Sequence, residues 1–143
     1  MEVNQLLAEK ENVKGVEEDL RIDEASEGTF GQYLRAVRQA RGVSVRQMSK
    51  AVEKTATYIS DIEQGNNRPP EKELLEKIID QLDLDGYTEV RTKLYDLAAR
   101  ERNDVPADIK EDIMNNDLLI RVIRSIKKNP NGEQFWKRLA DIV

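Results

Sequence analysis

The chain has 143 residues, of which 36% are charged and 5% aromatic, and it contains no cysteine and no histidine. The absence of both residue types excludes a disulfide framework, thiol chemistry, the usual zinc sites and catalysis based on imidazole. No apolar run approaches the ~18 residues of a membrane span, and no charged-then-apolar leader is present, so we predict a soluble cytoplasmic protein without a membrane contact.

The net charge of −5 is unevenly distributed along the chain. Residues 1–28 carry nine acidic and three basic residues, whereas residues 29–70 carry seven basic and three acidic residues. A negative net charge argues against nucleic-acid binding, but the distribution of charge along the chain is more informative than the net charge. The segment from residue 29 is therefore the candidate for binding an anionic partner.

Residues 1–28 are acidic and only weakly periodic. Val3, Leu6 and Leu7 could line one helical turn, but Gly15 and the acidic run at 17–19 favour a flexible, solvated arm. The alternative is a regulatory arm that competes with an anionic ligand.

A series of short amphipathic helices is predicted from residue 29. The stretch "TFGQYLRAVRQARG" ends at Gly42, which tolerates a left-handed helix terminus. Ser44 begins a second helix, with Gln47 as its capping-box partner. Thr55 caps a third helix, "ATYISDIEQ", which ends at Gly65. The inward-facing residues of these helices are Phe30, Leu34, Val37, Ala40, Val45, Met48, Val52, Ile59 and Ile62.

Further helices follow the polar loop "NNRPP". A fourth helix has Pro70 in its first turn and an apolar face that includes Leu75 and Ile78. Three or four more helices come after "DLDG", and we predict that Asp117 caps one of them and that Asn131 caps the last. The abundance of Leu, Ile, Glu, Lys and Arg also favours an all-α fold.

The second and third helices are joined by a very short connection between Val52 and Thr55. Helices joined in this way cross steeply, at about 90–120°, as in a helix-turn-helix. The outward face of the third helix is small and polar, which allows its backbone to approach a major groove closely. We predict that this face reads bases and that its members are Thr55, Ala56, Thr57, Ser60, Asp61 and Gln64.

Three stretches, "FGQYLRAVRQARGVSVRQMSKAV", "YISDIEQG" and "PPEKELLEKIIDQLDLD", resemble the Xre, or Cro/cI-type, helix-turn-helix domain of bacterial and phage repressors. The resemblance covers residues 29–85 and implies a five-helix, lambda-repressor-like DNA-binding domain. The helices predicted after it form a small C-terminal helical bundle at 86–143. It also implies an ion pair between Arg38 and Glu63, for which the alternative is two unrelated surface charges. Glu53 stands where this family usually has glycine, and Ser49 where it usually has alanine.

Phosphate contacts are expected from polar and basic residues on either side of the third helix. The candidates are Ser44, Arg46, Lys54, Asn66, Asn67 and Arg68, with Arg35 and Arg41 as further candidates on the first helix. For each basic residue taken alone, the alternative is a solvated helix face.

The C-terminal helices are the predicted means of pairing two copies. The stretch "LLIRVIRSIKK" is apolar on more than one face, and Phe135 and Trp136 are adjacent, so that one of them must point away from its own helix core. The predicted homodimer or partner surface consists of Ile120, Ile123, Phe135, Trp136 and Leu139. The alternatives are packing within the monomer and a regulatory protein partner.

The sequence thus predicts a sequence-specific DNA-binding transcriptional regulator, a repressor that binds a two-fold operator in double-stranded DNA as a dimer. The alternative is an interaction adaptor or antitoxin whose C-terminal helices bind a partner protein. We do not expect an enzyme, a cofactor or a metal, because no residues are arranged to organise a reaction.

Overall fold

The computed structural model describes Ile22 and residues 28–143. The described residues form eight α-helices and no strand, which confirms the all-α prediction. The expectations for the acidic arm lie almost entirely outside the described residues. The helices are α1 (Phe30–Ala40), α2 (Val45–Ala51), α3 (Ala56–Gln64), α4 (Lys72–Gln81), α5 (Thr88–Arg102), α6 (Lys110–Met114), α7 (Asp117–Lys128) and α8 (Gly132–Ile142).

The described residues divide into two compact units, with the division between Asp108 and Ile109. The first contains α1–α5 and the second α6–α8. The first unit extends beyond residue 85, where the sequence placed the end of the DNA-binding domain. Helix α5 packs against α1 and buries Val90, Leu94 and Leu97, so that it shares the core of the preceding helices.

The first unit has a continuous apolar core. Met48, Ile59 and Ile78 are fully enclosed, and the buried residues of α1 and α4 pack around them. Val45, which was predicted to face inward, is only partly buried, and Ala40, which shares the helical spacing of Phe30 and Leu34, is exposed in the last turn of α1. Ile22 also packs against this core.

Local hydrogen bonds define the helix ends of the first unit. The Ser44 hydroxyl accepts a hydrogen bond from the Gln47 amide at 3.0 Å, and the Gln47 side chain accepts one from the Ser44 amide at 2.8 Å. Thr55 caps α3 by accepting from the Tyr58 amide at 3.0 Å, and Gly65 ends α3 in the left-handed conformation. These caps confirm the predicted starts of α2 and α3.

Pro70 lies before α4 rather than in its first turn, because α4 begins at Lys72 with Glu71 as its N-cap residue. Pro70 is instead buried in the loop between α3 and α4.

In the second unit, α7 packs against both α6 and α8. Asn116, rather than Asp117, caps α7, and its side chain accepts from the Leu119 amide at 2.9 Å. The Asn131 side chain forms no cap at α8. Gly132 lies so close to α7 that a Cβ atom at this position would be 2.4 Å from the Ile126 carbonyl oxygen. None of the described helices is long and apolar enough to cross a membrane.

Candidate nucleic-acid interface

A left-handed residue forms the turn between α2 and α3. Glu53 has a φ of 57°, and the Lys54 amide donates to the Ser49 carbonyl at 2.9 Å, which closes the end of α2. A residue other than glycine in this conformation costs roughly 1 kcal/mol, so the turn is tight at a modest energetic cost. Ser49 is buried, and its hydroxyl donates to the Arg46 carbonyl at 2.9 Å, so the small residue at this position is accommodated within α2.

Helix α3 is held in place by apolar packing and by a buried ion pair. Ile59 and Ile62 are almost completely buried, and the Glu63 carboxylate receives two hydrogen bonds from the Arg38 guanidinium, at 2.5 and 3.0 Å. Arg38 also donates to the Val43 carbonyl at 2.8 Å. A single guanidinium therefore connects α1, the loop before α2, and α3, and this bidentate geometry restricts rotation of α3 about its own axis.

Gly31 allows the backbones of α1 and α3 to approach each other closely. A Cβ atom on Gly31 would be 2.3 Å from the Ile62 carbonyl oxygen and 2.6 Å from that of Glu63. Gly31 was not among the predicted site residues. The available signal was an isolated glycine within a strongly helical pattern, where glycine costs about 1 kcal/mol relative to alanine.

The predicted base-reading face of α3 is accessible. Thr55, Ala56, Thr57 and Gln64 are exposed, and Ser60 and Asp61 are partly exposed. The buried residues of the same helix are Ile59, Ile62 and Glu63. The residues that anchor α3 are therefore separate from those that it presents to solvent, apart from Thr55, which also caps the helix.

The six main candidates for phosphate contact are exposed: Ser44, Arg46, Lys54, Asn66, Asn67 and Arg68. Arg46 and Arg68 form no ion pair with any described residue, which leaves both guanidinium groups available to an anion. The Lys54 ammonium lies 5.5 Å from the centre of the Tyr58 ring, a cation–π contact that orients it beside α3. The Asn66 side chain donates to that of Gln64 at 3.4 Å, and Ser44 and Asn67 are exposed.

Arg41 differs from its predicted role as a phosphate contact. Its side chain donates to the Leu82 carbonyl at 3.0 Å, lies 3.8 Å from the Asp83 carboxylate, and stacks 5.3 Å from the centre of the Tyr87 ring. These three contacts tie the end of α1 to the segment between α4 and α5. Arg41 is therefore a structural residue.

Arg102, at the end of α5, supports the loop that follows α3. It donates to the Pro69 carbonyl at 3.0 Å and to the Glu71 carboxylate at 3.1 Å. Sequence reasoning missed this residue because its partners lie more than 30 positions away in the chain.

The predicted pairing residues lie on the second unit. Ile123, Phe135, Trp136 and Leu139 are exposed, and Ile120 is partly buried. The Phe135 and Trp136 rings meet edge to face, with their centres 5.6 Å apart. Within the part of the chain that the structure describes, no cluster of acidic, histidine or cysteine residues is suited to hold a metal ion.

Comparison with protein families assigns the first unit. Residues 29–91 match the family model described as a helix-turn-helix domain, whereas no significant match exists among curated proteins or solved structures. The match begins at the capping residue of α1 and ends within α5. Residues 29–91 are therefore similar to helix-turn-helix domains, and they contain α1–α4 and the start of α5.

Proposed function

We propose that the protein is a sequence-specific transcriptional regulator of the Xre, Cro/cI type, and that it represses by occupying a two-fold operator as a dimer. The observation that supports this proposal is the separation of buried and exposed side chains on the two sides of α3. Its buried side is locked by Ile59, Ile62 and the Arg38–Glu63 pair, while its outward side is small, polar and exposed. Such a helix suits insertion into a major groove.

The outward side chains favour particular bases. The methyl groups of Ala56 and Thr57 suit contact with a thymine methyl group, and the Asp61 carboxylate can accept a hydrogen bond from cytosine. Gln64 can form a bidentate contact with adenine, with Thr55 and Ser60 adding hydroxyl contacts. Since α3 contains no Arg or Lys, we expect little guanine readout from this helix.

Phosphate contacts would supply most of the affinity. Arg46 on α2, Lys54 in the turn and Arg68 in the following loop are exposed cations beside α3, and they belong to the segment 29–70, in which seven basic residues outnumber three acidic ones. The neutral residues Ser44, Asn66 and Asn67 would add hydrogen bonds to the backbone. One such unit covers only a few base pairs, so two copies are needed for adequate specificity.

The test begins with selection of bound fragments from genomic DNA, followed by anisotropy titrations over a series of salt concentrations. Affinity should fall steeply as salt rises. Thr57→Ala and Asp61→Ala should change the ranking of sites. Arg46→Ala should weaken all sites alike and lower the slope of log K against log salt by about 1. Arg91→Ala, at an exposed position of α5, removes the same charge outside α2 and α3 and serves as the control.

A second candidate function is an adaptor or antitoxin, favoured by the exposed apolar residues of the second unit. Under this alternative, the affinity for all DNA fragments should be equally low and should not change with salt concentration. Identical behaviour of Asp61→Ala and Arg46→Ala would show that the assignment of α3 to the groove is wrong.

A further inference from the structure

The second unit leaves its apolar side chains uncovered. Gly132 is the only buried residue among 109–143, whereas the large core residues of the first unit are at most 8% exposed. Nine large apolar residues of the second unit are at least 38% exposed: Ile109, Met114, Leu118, Ile123, Phe135, Trp136, Leu139, Ile142 and Val143. A segment of this length that encloses no core requires an additional partner for stability.

On α8 these residues form a continuous stripe. Phe135, Leu139 and Ile142 follow the i, i+4, i+7 spacing that places side chains on one side of a helix, with Trp136 and Val143 beside them. The other side of α8 is polar, and Glu133 pairs there with Lys137 at 3.0 Å. A helix as short as α8 is only marginally stable alone, so this division into two faces indicates a surface that becomes covered.

The size of the exposed surface fits a protein interface. At about 200 Å² for a fully exposed large side chain, the seven of these residues between 118 and 143 expose on the order of 600 Å². A stable complex of standard size buries about 800 Å² on each partner, of which about 56–65% is apolar. The apolar area between 118 and 143 is therefore sufficient for the apolar part of one such interface.

We propose that a second copy of this chain covers the α8 stripe, with Leu118 and Ile123 of α7 extending the contact. A two-fold interface places the same surface on both partners, and a stripe centred on Leu139 with two adjacent aromatic residues provides a self-complementary core. The polar side of α8 carries two acidic and two basic residues, so its net charge is zero and two copies do not repel each other there. A lipid-binding helix typically has a polar side rich in Lys and Arg only.

This interface deepens the proposed function, because it supplies the pairing that a two-fold operator requires. Its test uses the full-length chain. Sedimentation equilibrium over a concentration series should give a mass of twice 16.4 kDa for the unaltered protein. Leu139→Glu should weaken dimerisation on the order of 100-fold, because it places a charge at the centre of an apolar contact. Gln134→Glu adds the same charge on the polar side of α8 and should leave the dimer unchanged.

Cross-linking gives a measurement that does not depend on the stability of a disruptive variant. Since the chain contains no cysteine, Leu139→Cys introduces a single thiol, and a bismaleimide should join two copies efficiently. Gln134→Cys should cross-link poorly. A monomeric unaltered protein, equal effects of the two glutamate variants, or equal cross-linking of the two cysteine variants would overturn the inference.

Two further outcomes separate this inference from the proposed function. A dimer that does not bind DNA would support the α8 interface and refute the proposed function as a regulator. A monomer that binds DNA specifically would support the proposed function and refute the α8 interface. Because the polar side of α7 is basic, an anionic lipid surface is the alternative ligand for the second unit, and anionic vesicles test it. A monomer that sediments with phosphatidylglycerol vesicles, and loses that binding in Leu139→Glu, would assign the stripe to lipid and overturn the second copy.

Discussion

Replacing Glu63 with alanine removes one half of a buried ion pair. The side chains of Arg38 and Glu63 are only 8% and 5% exposed, and the substitution removes both hydrogen bonds between them. The Arg38 guanidinium would remain enclosed, with the Val43 carbonyl as its remaining partner. Breaking a buried pair in this way costs about 3–5 kcal/mol, much of it the desolvation of the charge left behind.

The assay is urea unfolding followed by circular dichroism at a helical wavelength. For a unit of this size the midpoint should fall by more than ~1 M. Glu71→Ala is the matched control, because Glu71 also pairs with an arginine, Arg102 at 3.1 Å, but its side chain is 83% exposed. An exposed pair contributes at most about 1 kcal/mol. If Glu63→Ala costs no more than Glu71→Ala, the argument that burial makes this pair important is refuted.

A further variant separates the cost of breaking the pair from the net contribution of the pair. Replacing both partners with apolar residues, Arg38→Met with Glu63→Leu, leaves no uncompensated charge and should recover much of the loss. A double variant as unstable as Glu63→Ala would show that the pair contributes more than the avoidance of a buried charge.

Three other substitutions test single features of the first unit. Gly31→Ala should destabilise by about 2 kcal/mol or more in the same urea assay, because the new Cβ would meet the Ile62 and Glu63 carbonyl oxygens, and a gain in stability would contradict the close approach. Glu53→Gly should stabilise by up to about 1 kcal/mol in thermal unfolding, since glycine relieves the left-handed strain; a loss would show that no strain is present. Burial raises the pKa of the Tyr95 hydroxyl above its ordinary value of 10.0, and nearby Glu76 adds to the shift. The unfolded chain therefore releases this proton first, and stability should decline as pH rises above about 10; Tyr95→Phe should decline less, and parallel pH profiles would contradict the shift.

The local features of the helix-turn-helix were predictable because they depend on neighbouring residues. Ser44 and Gln47 are three positions apart, and a cap requires only these two side chains and the adjacent backbone. The left-handed turn at Glu53 does not follow from the residue type, since glutamate does not favour that conformation, and the resemblance indicated only that glycine is usual at this position. Accessibility of the α3 face followed from the helical spacing of Ile59 and Ile62.

Features that depend on distant contacts were not predictable in the same way. Charge alone does not distinguish Arg41, which is used within the fold, from Arg46, which is free of ion pairs with described residues. The hydrogen-bond acceptor of Arg41 is the backbone carbonyl of Leu82, which the sequence pattern does not reveal, and its other two partners, Asp83 and Tyr87, lie more than 40 positions away. At α7 two adjacent residues, Asn116 and Asp117, are both good capping residues, and the sequence pattern does not select between them.

The C-terminal boundary of the first unit also depends on tertiary packing. Leu94 and Ala98 have helical spacing that suits a separate C-terminal bundle as well as an additional layer on α1. Only their burial against the preceding helices shows which arrangement the chain adopts.

The separation of anchoring and outward residues within α3 has a consequence for how such a protein can change its target. Ala56, Thr57, Ser60, Asp61 and Gln64 have no essential role in the core, so substitutions among them need not compromise folding. If the proposed function holds, the preferred DNA site can diverge on an unaltered scaffold, by natural drift or by deliberate library selection. Thr55 is the exception, because exchanging it for a residue that cannot cap would couple a new specificity to a less stable helix.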